Sequence, residues 1–140
     1  MERPDLYSSA FIRVGVFNTL RSEFAVNGKN LSGEFGTIND PIEFKSLLEM
    51  DAYHKIKKGE SYPAVYLTAG LNDSRVTVWQ PAKFAARLQE SSSSSNPILF
   101  SVNFNGGHGV NASQQTKDKE LVDLLSFALW QTGHPDYQLE

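Results

Sequence analysis

Residues 62–70, YPAVYLTAG, are apolar almost throughout and carry no charge. A strand with one face in water would alternate apolar and polar residues. An unbroken apolar run fits a strand covered on both faces, as in a parallel sheet held between helix layers. Two further strand candidates flank it in the chain. One lies in SAFIRVGVFN, around Phe11 to Val16, and the other runs from Ile98 to Phe104. Both are short, apolar and rich in β-branched or aromatic residues.

Helical signals fall between and after these runs. DPIEFKSLLEM opens with Asp40 as N-cap and Pro41 at the first helical position. Its apolar residues Ile42, Phe44, Leu47 and Leu48 share one face only roughly. QPAKFAARLQE predicts a helix from Pro81 with Phe84, Ala85 and Leu88 facing inward. KDKELVDLLSFALWQTG predicts a last helix with Leu121, Leu124, Leu125, Ala128 and Leu129 on its inner face. Gly133 ends it, with Pro135 beyond. NGKNLSGEFGTIND is rich in Gly and Asn and reads as a loop, and the serine run 91–95 reads as a flexible surface connection. The order is strand, loop, helix, strand, helix, strand, helix. Strands alternating with helices predict an α/β fold with a parallel sheet and crossover helices.

Composition narrows the function classes. The 140 residues suffice for one domain with a real core. The net charge is −3 with no basic stripe, so no nucleic-acid partner is expected. The absence of cysteine excludes disulfides, thiolate catalysis and cysteine zinc sites, and leaves the compartment open. No run reaches the length of a membrane span, so no membrane partner is expected. The opening MERPDLYSSA, with Glu2 and Asp5, is not a secretory signal, and the cytoplasm is slightly favoured. No internal repeat and no cofactor or metal motif is present.

In parallel α/β sheets the working residues sit just past the carboxyl ends of the strands. Two loops occupy that place here. GLNDSRV, residues 70–76, carries Asp73, and NFNGGHGVNA, residues 103–112, carries His108 between glycines. Glycines on both sides are costly in any regular element, so this histidine sits on a bare loop. Acid then histidine, on successive strand ends, matches the last two members of the Ser…Asp…His order of α/β-hydrolases. There the histidine takes the nucleophile's proton and the acid fixes the imidazole tautomer. The plain alternatives are a turn residue for Asp73, a polar loop residue for His108, and an anion nest for GGHG. The last lacks both GxxxxGK[ST] and GxGxxG. His54, in the charged segment YHKIKKGE, and His134, after the terminal glycine, read as surface residues.

RPDLYSSAFIRVGVFNTLR, YPAVYLTAGLNDSRVTVWQPAKFAARLQ and NGGHG together resemble the catalytic domain of the prolyl oligopeptidase family of serine peptidases, which includes oligopeptidase B. The likeness runs over nearly the whole chain. Its most specific parts are G-x-N-D-x-R-V and GHG. The resemblance implies an α/β-hydrolase fold, hydrolysis of peptide bonds in short peptides, Asp73 as triad acid and His108 as triad base. It implies that Arg75 binds a substrate carbonyl or carboxyl, a task suited to a guanidinium. It places Leu31 where prolyl oligopeptidases stack a tryptophan on the substrate proline, and Phe35 where they carry a tyrosine.

The resemblance also has a gap. The family's nucleophile lies in a G-x-S-x-G-G elbow, and no serine of these 140 residues lies in a G-x-S-x-G. The expectation is a single partial α/β-hydrolase domain over residues 1–140 that lacks the elbow. It comprises about three parallel strands, crossover helices and a C-terminal helix. The elbow, the oxyanion donors and a β-propeller would lie upstream. The edge of the first strand would then be exposed and open to self-association. The alternative is a non-catalytic α/β module for binding or structure, or an inactive truncated product.

Overall fold

The computed structural model describes residues 2–109 and 113–139. Its sheet has three parallel strands, β1 (Ser9–Arg13), β2 (Ala64–Gly70) and β3 (Ile98–Asn103), in the spatial order β1-β2-β3. Phe11 lies opposite Tyr66, and Leu67 opposite Phe100. Four helices accompany them: α1 (Gly28–Phe35), α2 (Pro41–Met50), α3 (Trp79–Ser91) and α4 (Gln114–Gln131).

The apolar run of β2 is explained by two covers. Successive side chains of a strand point to opposite faces. Val65 and Leu67 point to one face and pack with Phe84, Ala85 and Leu88 of α3, Ile98 of β3, and Phe17, Ile56 and Tyr62. Ala64 and Tyr66 point to the other face and meet Phe127 of α4, with Phe11 and Trp130 beside them. Six of the seven residues of this strand, all but Thr68, are buried. The α3 face is the thicker core, and Phe17 stacks on Phe84 there with ring centroids 4.1 Å apart.

Local chemistry accounts for the helix boundaries. The Asp40 carboxylate accepts from the N–H groups of Ile42 at 2.8 Å and Glu43 at 3.0 Å, the N-cap bonds expected of it. Gly133 adopts a φ of +79° after α4. The His134 and Gly133 N–H groups then donate back to Leu129 and Trp130, a Schellman stop.

Four expectations need correction. Residues 28–35 form α1 and not a loop. Gly28 is needed at its start because a Cβ there would strike the Glu23 carbonyl. The first strand ends at Arg13, before Val16, because Val14 turns the backbone into positive φ, +44°. The serine run is pinned rather than loose. Ser94 Oγ donates to the Tyr62 carbonyl at 2.7 Å, and Ser93 N–H donates to that of Glu60 at 2.9 Å. On α4 the buried residue is Phe127, while Leu121 and Leu125 are about half exposed at 53% and 49%. The helix lies across β1 and β2, where Tyr66 and Ala64 present their surface, and the leucine stripe is turned partly away.

Candidate active site

Asp73 and His108 meet although 35 residues separate them. The loop after β2 and the loop after β3 are brought together by the parallel register of their strands. Leu71 N–H donates to the Asn103 carbonyl and Asn72 N–H to the Gly106 carbonyl, each at 2.9 Å. The Asn72 side-chain amide donates to the Phe104 carbonyl at 3.2 Å. Gly70 permits this approach. A Cβ at that position would run into the carbonyl oxygens of Gly106 and Gly107.

The His108 ring nitrogen Nδ1 lies 2.8 Å from Asp73 Oδ2. An ionised carboxylate only accepts, so Nδ1 carries the proton and donates, which in the neutral ring makes Nε2 the acceptor. The other carboxylate oxygen is also engaged. Asp73 Oδ1 accepts from the N–H groups of Arg75 at 2.8 Å and Val76 at 2.9 Å. Turn residue and histidine partner are therefore not competing roles for Asp73. One oxygen shapes the turn and the other holds the ring. The Asp73 side chain is fully buried, while that of His108 remains 26% exposed.

His108 borders two clefts. One, of about 600 Å³, is lined by Arg75, Asn72, Ser74 and the start of α4 at Ser113 and Thr116. The other, of about 760 Å³, lies between β2, β3 and the first half of α4, with Arg13, Tyr66, Glu120 and Asp123 on its walls. Burial pushes the Tyr66 phenol above its ordinary range; a hydrogen bond with Ser101 opposes this, and the charges of Asp123 and Glu120 add to the rise. Arg75 is exposed and shares the smaller cleft with His108. Among the described residues, Leu31 and Phe35 line neither cleft. Leu31 is buried in α1, and Phe35 is half-buried at that helix's end.

A second Asp–His pair was not anticipated. His54 Nδ1 lies 2.9 Å from Asp51 Oδ1. Asp51 is fully buried and accepts three further bonds, from His54 N–H, Leu20 N–H and the Asn18 side-chain amide. Burial acts to raise its pKa, and the donors at Leu20, His54 and Asn18 outweigh burial and hold it below the usual carboxylate range. The signal was present in the sequence, since DAYH ends α2 with an acid three residues before a histidine.

A parallel α/β sheet with an acid–histidine pair past adjacent strand ends has the architecture of the C-terminal part of an α/β-hydrolase. Residues 1–135 match the prolyl oligopeptidase family, and the chain belongs to it. It is 37% identical over 132 residues to the prolyl endopeptidase of Elizabethkingia meningoseptica, covering 94% of this chain and 19% of that one. A solved structure from a study of two prolyl endopeptidases superposes with a TM-score of 0.86 at 30% identity, over 91% of this chain and 19% of the other. Oligopeptidase B from Trypanosoma brucei, solved with covalently bound antipain, superposes at 0.84 with 25% identity, over 91% and 18%. The chain thus spans about a fifth of the length of these relatives, which are serine peptidases.

Proposed function

We propose that this chain supplies the acid and the base of a serine-peptidase triad acting on short peptides. The observation that carries the reading is the Asp73–His108 hydrogen bond of 2.8 Å between two strand-end loops, with the acid buried and the ring open to clefts. In this role His108 Nε2 takes the proton of an attacking serine hydroxyl and returns it to the leaving amine. Asp73 keeps the ring in the tautomer with Nδ1 protonated and stabilises the imidazolium. Water then cleaves the acyl-enzyme through the same base. Arg75 holds a substrate carbonyl or carboxyl in the smaller cleft. Leu31, by the family resemblance, gives an aliphatic wall with Phe35 beside it. Leu31 is buried in α1, and neither it nor Phe35 lines the clefts that His108 borders, among the described residues.

The 140-residue chain alone is expected to be inactive, because no G-x-S-x-G serine stands opposite the base. A lone general base contributes only about 10²–10⁴-fold. The test is hydrolysis of a fluorogenic peptide amide. A segment bearing the elbow, taken from a relative and fused or added, should restore turnover and phosphonate labelling of its serine. Turnover by the unaided chain, with label on one of its own serines, would overturn the missing-nucleophile argument. Failure of every reconstitution would favour a non-catalytic module.

The outer edge of β1 supports one partner proposal. Val14 N–H donates to Thr68 and Ser8 accepts from Ala64, so Ser9, Phe11 and Arg13 direct their backbone groups outward. With Leu121 and Leu125 exposed on α4, this edge should draw the isolated chain into self-association. A sedimentation coefficient independent of concentration would remove that proposal.

A further inference from the structure

We propose that Arg13 is a positioning residue for His108, an inference that rests on the triad reading above. Arg13 ends β1, and its Nη2 donates to Glu120 Oε2 of α4 at 2.7 Å. The same nitrogen lies 3.9 Å from where a Cβ on Gly109 would stand. Gly109 follows His108 and has a φ of +84°, a conformation that a side chain would strain. The guanidinium therefore sits where three elements converge: the end of β1, the loop that carries the histidine, and the helix that follows that loop. Arg13, Gly109 and Glu120 share the lining of the larger cleft with His108. They also share a smaller groove with Phe11 and Leu124.

The next residue adds a constraint. Val14 holds φ at +44°, unfavourable for a β-branched side chain. It is kept there while its N–H donates to the Thr68 carbonyl at 3.2 Å. The backbone that carries Arg13 is thus fixed by the sheet, and the side chain reaches from a rigid base. The glycines of GGHG bring no side chains to hold the loop; Gly106 is tied through its carbonyl to Asn72 N–H, and Gly109 lies three residues beyond that tie. Asp73 fixes one nitrogen of the ring. The Arg13–Glu120 pair stands beside Gly109, on the other side of His108 in the chain from the Gly106–Asn72 bond.

As an ion pair this contact is weak, because Arg13 is 53% exposed. Its effect should appear in the local order of His108 and not in global stability. The measurement is proton NMR of the 140-residue chain, following the hydrogen-bonded Nδ1–H signals of His108 and His54. Each is assigned by its loss in His108→Gln or His54→Gln. Arg13→Met keeps the length of the side chain and removes its charge. It should speed exchange of the His108 signal with water by at least about tenfold while the His54 signal is unchanged. Arg13→Lys should recover part of the protection, and Glu120→Ala should fall between. Unchanged His108 exchange in Arg13→Met overturns the inference, as does equal acceleration of both histidines, which would mean general loosening. If the unsubstituted chain shows no His108 signal while that of His54 is present, there is no preset pair. The triad reading and this inference then fail together.

Discussion

The two Asp–His pairs have nearly the same bond and opposite settings. Each joins Nδ1 to a fully buried carboxylate, at 2.8 Å in one and 2.9 Å in the other. Asp51 and His54 are three residues apart, and the carboxylate takes four bonds, two from His54 and one each from Asn18 and Leu20, which tie the end of α2 to that segment. Its histidine lies on the surface and borders neither cleft at the strand ends. Asp73 and His108 come from different loops, and their histidine borders two clefts. The short bond between acid and imidazole is therefore common to both pairs and does not by itself carry the catalytic role proposed for Asp73 and His108. What differs is where the second ring nitrogen can reach.

The comparison can be broken most decisively by activity. In a protein reconstituted with an elbow segment, His108→Ala should lower kcat/KM by about a thousandfold or more. His54→Ala should leave it nearly unchanged. Comparable losses from both would erase the distinction. The next largest effect should be on stability and run the other way. Asp51→Ala strands four donors, including two backbone N–H groups, and should cost about 3 kcal/mol in urea unfolding. Asp73→Ala strands three and should cost about 1 kcal/mol less. A larger loss at Asp73 would invert the structural ranking.

Acid should report on Asp51. Its pKa is lowered by folding, so the carboxylate stabilises the fold above the unfolded value near 4. That contribution is lost as pH falls through the lower folded value. Melting temperatures measured from pH 6 downward should drop below about pH 4, and Asp51→Asn should flatten that part of the profile. Arg75→Ala should raise KM about tenfold in the reconstituted enzyme with a smaller change in kcat, a loss of binding shared by ground and transition state. The smallest effect should come from His54→Ala in the isolated chain. That ring is 41% exposed, and its removal should cost under about 1 kcal/mol in the same urea titration.

Much of the scaffold was legible because it follows from short-range rules. Asp40 and Pro41 mark the start of α2, and the unbroken apolar run of β2 anticipates its two covered faces. Asp73 and His108 were readable from their place after strands. What escaped was set by tertiary contact. Gly28 and Gly33 argue against a helix, yet α1 packs on the 3-10 turn at Thr19–Phe24. The face of α4 could not be chosen from leucine spacing, since Phe127 competes with it and Tyr66 decides. His54 lies on the surface, as its charged segment suggests; what escaped was its bond to Asp51, because that buried acid gains its value from Asn18 and Leu20, more than thirty residues away.

The crossover that separates Asp73 from His108 also sets when each pair can form. Asp51 and His54 lie within one turn of chain, and such contacts are available on the timescale of helix formation, about a microsecond or less. Asp73 must wait until α3 has crossed the sheet and β3 has docked beside β2. Closing that longer loop carries its entropic cost before any contact rewards it. In a refolding experiment the His54 signal should be protected early and the His108 signal only with the final strand, making His108 a clock for completion of the sheet.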